Sequence, residues 1–307
     1  MKKSKLILSC IIFFLMILAF PKLIFDSKGK NIKTMESALL NPKYTSEVNS
    51  IYIGDTVDSL HFIKTSKDNW LCTYGDLTFY AENKIINQLI EKFSKTITLI
   101  SISDSIEDYQ NYGLTTENAF NISFYSEDSA GNKKELTSIY FGNENSDNTM
   151  IYLRSNKNPK VYSMENNIYS YFSTNLQNYG ILEIFPIKDN STEKNIDKIE
   201  IIDYYQNKTE TKIKKIGDES FKDYVHTLFS LRGATFYSED ILQNSQMKKI
   251  KTIKATDYKN NLYFLDIFSY TNTQGNEQFF VKSDFPYKEK NCNYVLEISS
   301  WTKSRFD

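Results

Sequence analysis

The chain is short of the residues that most often carry chemistry: its 307 residues include three cysteines and two histidines. Cys10, Cys72 and Cys292 form no C-x-x-C pair, and His61 and His226 belong to no H-E-x-x-H phrase, so no zinc-site spacing is present. No G-x-x-x-x-G-K-[ST] phrase supplies a phosphate cradle, which excludes a P-loop ATPase, and no G-x-G-x-x-G follows a strand-like run. An excess of one charge is lacking too. Lys and Arg number 37 against 38 Asp and Glu, leaving no global field to attract nucleic acid. With 10 Gly, 5 Pro and 15% aromatics, mostly Tyr and Phe, the composition suits strands, where broad rings pack on a pleated surface. A glycan- or peptide-binding platform of exposed aromatics is the alternative use of the same rings.

What is present begins at the N-terminus. Lys2, Lys3 and Lys5 precede an apolar run from Leu6 to Phe20, and after Pro21 and Lys22 the run resumes through Leu23, Ile24 and Phe25. Leu6 to Phe25 gives about the 20 helical residues needed to cross a bilayer, with Lys22 able to snorkel. Residues 1–25 are therefore expected to be a signal-anchor transmembrane helix. A cleaved signal peptide is the competing reading, but Ala19-Phe20-Pro21 lacks a small-x-small cleavage site. Cys10 follows Ile7-Leu8-Ser9 as in a lipobox, yet the apolar run continues past it. Lys22, Lys28, Lys30 and Lys33 rival the N-terminal lysines in the positive-inside count. The order of basic region then apolar core places the N-terminus inside. The expected location is the inner or cytoplasmic membrane, single-pass, with the C-terminal region extracytoplasmic.

The rest reads as an α+β chain of two tandem modules, each an antiparallel sheet with one main helix. Residues 26–46 are polar and read as a linker carrying a short apolar patch at Met35 to Leu40, 47–175 as the first module, 176–195 as a connector and 196–307 as the second. In the first, Val48, Ile51 and Ile53 open a strand, and Leu60 to Ile63 and Asn69 to Cys72 are its hairpin partners. Ile85, Ile86, Leu89, Ile90 and Phe93 then form one apolar stripe at 3.6 residues per turn. Strands follow at Ile97–Ser101, Ala119–Tyr125, Leu136–Phe141, Met150–Leu153 and Pro159–Ser163. The charged stretch Lys188 to Lys194 marks the boundary, and beyond it the order returns. A strand at Ile196 to Ile202 precedes a helical stripe of Phe221, Tyr224, Val225, Leu228 and Phe229. Strands at Ile250–Ala255, Leu262–Phe268, Gln278–Lys282 and Tyr294–Ile298 complete it. This is a long-period repeat of element order with little residue identity.

No catalytic, cofactor or metal residues are assigned. His61, flanked by Leu60 and Phe62, and His226, inside the second stripe, read as structural or surface histidines. The acidic pairs Glu107-Asp108, Glu127-Asp128 and Glu239-Asp240 read as turn residues, because adjacent acids on a strand point to opposite sides. Asn143 to Asn148 reads as a polar connection, lacking the calcium-loop phrase. Cys72 and Cys292 read as buried free thiols, although an oxidising compartment would permit a bridge.

Several short phrases carry a family likeness. They are Trp70 ahead of the Ala81-to-Phe93 helix, Tyr112-Gly113-Leu114, Ile139-Tyr140-Phe141-Gly142, Ile151-Tyr152-Leu153-Arg154 and Val161-Tyr162. Through them the region from Val48 to Phe172 resembles the DUF 4340 family, and the second module follows by element order alone. Where the family has a proline after Tyr112-Gly113-Leu114, this chain has Thr115-Thr116-Glu117-Asn118. The resemblance implies an anchored, exported, non-enzymatic accessory protein beside a gliding-type ABC transport system or another envelope complex, with a transporter or envelope protein as partner.

Overall fold

In the computed structural model, which describes residues 33–66, 68–185, 191–205, 208–284 and 292–306, the chain folds mostly as antiparallel sheet with few helices, an α+β arrangement. The first sheet holds β1 (Thr34–Ala38), β2 (Ser50–Gly54), β3 (Ser59–Lys64), β4 (Trp70–Tyr74), β5 (Leu77–Ala81), β6 (Thr96–Ser103), β7 (Phe120–Glu127), β8 (Lys133–Glu144), β9 (Met150–Ser155) and β10 (Asn158–Glu165). Helix α1 (Asn83–Ser94) joins β5 to β6. After the short helix α2 (Ser191–Lys194), the second sheet holds β11 (Ile196–Tyr205), β12 (Lys208–Lys215), β13 (Thr235–Ser238), β14 (Lys248–Asp257), β15 (Leu262–Thr271), β16 (Glu277–Asp284) and β17 (Tyr294–Ile298). Helix α3 (Phe221–Ser230) joins β12 to β13, and α4 (Ser300–Ser304) follows β17.

The two sheets share one strand order. The first runs β1-β6-β10-β9-β8-β7-β2-β3-β4-β5, and the second, read from its far side, runs β13-β17-β16-β15-β14-β11-β12. Aligning β13 with β6 and β12 with β3 matches all seven strands, leaving β1 and the β4–β5 hairpin as additions to the first sheet. The main helices α1 and α3 immediately precede the matched strands β6 and β13. After each of these strands a single 3-10 turn follows, Ile106–Tyr109 and Glu239–Gln243. Each is opened by a serine, Ser105 or Ser238, whose hydroxyl accepts the backbone N–H two residues on. The repeat of element order thus extends to strand pairing.

Each helix buries the stripe its sequence defines. A ten- or twelve-residue helix is marginal alone in water, and burial of its apolar face is what holds it. In α1, Ile86, Leu89, Ile90 and Phe93 turn inward, and the Phe93 ring packs on Phe124 and Phe141 at 5.3 and 6.1 Å between centroids. In α3 the buried set is Phe221, Val225, Leu228 and Phe229, with Phe229 against Phe185 and Tyr263. Each side chain buried this fully contributes roughly 1.5–3 kcal/mol. The sheets present the complementary faces. Ile51 and Ile53 of β2 and Ile199 and Ile201 of β11 alternate toward their helices, and all four are fully buried.

Three segments differ from the sequence expectation. The described part of the 26–46 linker is not free: β1 pairs with β6 from Thr34↔Ile100 to Ala38↔Thr96, and Leu40 is fully buried with its N–H donated to Phe93 O at 2.8 Å. The apolar patch at Met35 to Leu40 marks this segment, but its polar surroundings hid the strand, because an edge strand needs little apolar surface. The same reason hides β12, which is almost wholly exposed. The 176–195 connector, in turn, contributes pairing. Ile181 N–H bonds Tyr80 O, Glu82 N–H bonds Tyr179 O, Gly233 N–H bonds Leu182 O and Ile184 N–H bonds Leu231 O. The segment thereby covers the outer edge of β5 and ties it to the chain entering β13. Phe79 of β5 stacks on Phe236 of β13 at 4.3 Å, and a side chain at Gly180 would strike that Phe236 ring. Asn293 closes the junction: its amide accepts from Thr78 N–H and donates to Asp76 O, both at 2.7 Å.

The expected anchor, residues 1–25, lies outside the described residues. Among the described residues no helix is long and apolar enough to cross a membrane.

Candidate functional site

The faces of the first sheet turned away from α1 hold two polar constellations. One is built on β2, β3, β7 and β8. Because Ile51 and Ile53 point to the core, Ser50 and Tyr52 point the other way, and Tyr52 lies directly opposite His61 of β3. The His61 ring stacks on Tyr52 at 4.0 Å and 8°, and its Nε2 is 3.0 Å from Ser50 Oγ. Lys133 donates to the Tyr52 hydroxyl at 2.6 Å and lies 3.5 Å from Glu127. Burial, reinforced by the Lys133 ammonium and opposed by Glu127, lowers the His61 pKa to about 4, so its ring is neutral at pH 7. A serine beside a neutral imidazole is the start of a nucleophilic pair. Here, however, Ser50 is 0% exposed, and among the described residues no carboxylate is hydrogen-bonded to His61 Nδ1. The arrangement packs a sheet face, and a substrate carbonyl has no path to Ser50 Oγ.

The second constellation centres on Arg154 of β9. The residue is 9% exposed and its guanidinium carbon lies 3.8 Å from the centroid of Tyr140 on β8 and 4.7 Å from that of Tyr109. Nε donates to Leu114 O at 2.8 Å. The loop that brings Tyr109 and Leu114 here is cinched to β8 by glycines. Gly113 has φ +68°, and any side chain at Gly142 would sit 2.1 Å from Tyr112 O. Asn143 N–H bonds that same carbonyl at 2.8 Å. The sequence reading named these glycines and Arg154 only as structural phrases. A usable signal existed: arginine occurs at just three positions, 154, 232 and 305, in a lysine-rich chain. Guanidinium is what stacks flat on rings, and lysine does not replace it there.

The other candidates are placed as follows. His226 is exposed on α3 and its Nδ1 lies 2.9 Å from Glu193 of α2, beside a groove of about 280 Å³ lined by Ile196, Ile216, Phe221 and Val225. Asp108 accepts from Ser103, Glu127 faces Lys133, Asp128 caps the 128–132 turn, and Glu239 pairs with Lys282 at 2.7 Å. In the 143–148 loop, Asn145 accepts from Met150 N–H and Asp147 from Thr149. Cys72 and Cys292 are both buried, and burial pushes the Cys72 thiol well up. Among the described residues no group of three His, Cys, Asp or Glu is placed to hold a metal.

Fold and site together define an α+β protein of two antiparallel sheets with a common strand order. Residues 70–276 match the family described as Domain of unknown function (DUF4340). That span covers well over half of the chain, and the chain belongs to this family. The match starts at β4 and runs through β15 of the second sheet, so the likeness is not confined to the region from Val48 to Phe172. No curated protein and no solved structure gives a match.

Proposed function

We propose that the chain is a membrane-anchored extracytoplasmic accessory or interaction protein of a bacterial envelope or ABC transport system, acting without catalysis through two tandem modules of one main helix each. The observation that carries the reading is the position of β1. It starts at Thr34, so only residues 26–33 separate the apolar N-terminal run from the first sheet. Fully extended, eight residues reach no more than about 28 Å. An anchor at 1–25 would hold the β1 edge at the membrane surface. The second sheet, joined through the connector and Asn293, would then be offered to a partner. The transport association comes from the family likeness.

The alternative, a glycan- or peptide-binding module, draws on exposed aromatics such as Tyr205, Tyr258 and Trp301. These stand on β11, on the β14–β15 turn and on α4, which favours the first reading over a single aromatic platform. Crosslinking in intact cells, followed by purification of the full chain from membranes, tests both. Recovery of transporter subunits is the expected outcome. A chain released from membranes by alkaline wash would overturn the anchor, and retention on a glycan array without any crosslinked protein would favour the alternative.

A further inference from the structure

The geometry points to Arg154 as a binding site for a carboxylate. An arginine that is nine-tenths buried ordinarily has a carboxylate partner, since burial of an unpaired charge is costly. Arg232 has such a partner in Glu183 at 3.4 Å, and Arg305 lies against the exposed Trp301. Arg154 has none. Among the described residues no carboxylate oxygen comes within 4.0 Å of its nitrogens, and its single hydrogen bond runs from Nε to Leu114 O. Neither Nη1 nor Nη2 is among the fully enclosed unpartnered atoms, so both reach the surface while lacking a partner.

The surroundings define what fits. The rings of Tyr109 and Tyr140 both lie against the guanidinium, and with Nε donating to Leu114 O the Nη1–Nη2 fork is the free donor edge. Such a fork matches a planar carboxylate in bidentate fashion. Tyr152 projects from β9 on the same side as Arg154, and its ring lies 4.6 Å from that of Tyr112. An apolar group attached to the carboxylate therefore has aromatic surface beside it. A phosphate is disfavoured: the nearby Lys160 is committed to Asp104 at 2.9 Å and the Tyr109 hydroxyl to Pro159 O at 2.7 Å, so one positive charge serves the site. The site does not depend on whether the chain is anchored.

The test uses the full chain in detergent, labelled with ¹⁵N-arginine, whose three Nε–H resonances are followed while sodium benzoate is titrated against sodium chloride at matched ionic strength. A saturable shift of the Arg154 resonance with benzoate, absent with chloride and absent at Arg232 and Arg305, is expected. Arg154→Lys keeps the charge but loses the fork, and the benzoate-induced rise in Tm should disappear with it. If that variant fails to fold, the wild-type titration still decides. An Arg154 resonance that moves no further with benzoate than with chloride overturns the site. Saturation by inorganic phosphate at lower concentration than by benzoate overturns the carboxylate assignment. Comparing N-acetylphenylalanine with benzoate separates the sources, with N-acetylphenylalanine amide as the uncharged control: tighter binding of the acid than of benzoate marks a polypeptide C-terminus, and weaker binding marks a free aromatic acid.

Discussion

Acidification should destabilise this protein through His61. The imidazole is stacked on Tyr52, half-buried, and near the Lys133 ammonium, and its pKa falls from 6.5 to about 4 on folding. Above pH 6.5 both folded and unfolded chains hold the ring neutral, so it contributes no pH dependence. Between 6.5 and about 4 the unfolded chain takes up a proton that the folded chain refuses, so stability falls as pH falls through this window. At 1.36 kcal/mol per tenfold change in proton affinity the full difference is roughly 3 kcal/mol. Solvent screening of a half-buried ring reduces this to roughly 1–2 kcal/mol. The assay is urea unfolding of the wild-type chain and of His61→Gln, at pH 7 and again at pH 4.5. Titrating carboxylates are common to both chains and cancel in the difference. The wild type should lose roughly 1–2 kcal/mol more than the variant between the two pH values. Parallel losses would refute the argument, and a smaller loss in the wild type would reverse its sign.

Other consequences follow from packing. Leu89→Ala should cost about 2–5 kcal/mol and Val225→Ala about 1–3 kcal/mol. Hydrogen exchange should rise mainly in the first sheet for the former and in the second for the latter, and equal rises in both would count against two separately cored units. Gly142→Ala forces a methyl against Tyr112 O and should cost about 1–3 kcal/mol by thermal unfolding, with a neutral result refuting the close approach. Asn293→Ala removes partners from Thr78 N–H and Asp76 O, worth about 1–3 kcal/mol together. The Thr78 amide should exchange faster, and an unchanged rate would show that the junction holds without it.

Much of the fold was legible because burial writes period into sequence. The stripes Ile86-Leu89-Phe93 and Val225-Leu228-Phe229 repeat at helical spacing because each faces a sheet, and along β15 the buried residues Tyr263, Leu265, Ile267 and Ser269 alternate with more open ones because one face is covered. β1 and β12 are edge strands held by backbone pairing, which leaves no side-chain signature. The connector escaped for the same reason: its contribution is main-chain hydrogen bonds from Tyr179 to Ile184. Arg154 was visible as a residue, but its neighbours Tyr109 and Tyr140 lie far from it in sequence, and only the loop held at Gly113 and Gly142 brings one of them over the strand.

The strand order carries a consequence for the time course of folding. Among the described residues β13 pairs with β17 alone, although more than fifty residues separate them, and β14 to β16 occupy the interval. During synthesis β14, β15 and β16 can zip sequentially as hairpins, while Thr235 to Ser238 waits unpaired for the last strand to emerge. The closing loop is long and its entropy must be met before its contacts form, which places this step late and makes it slow. A chain stopped short of Tyr294 would lack the strand that joins β13 to β16, and Phe236, released from that sheet, would lose the support that holds its ring on Phe79 at the junction. Completion of the second sheet, and of the seam between the two, therefore waits on the C-terminal segment.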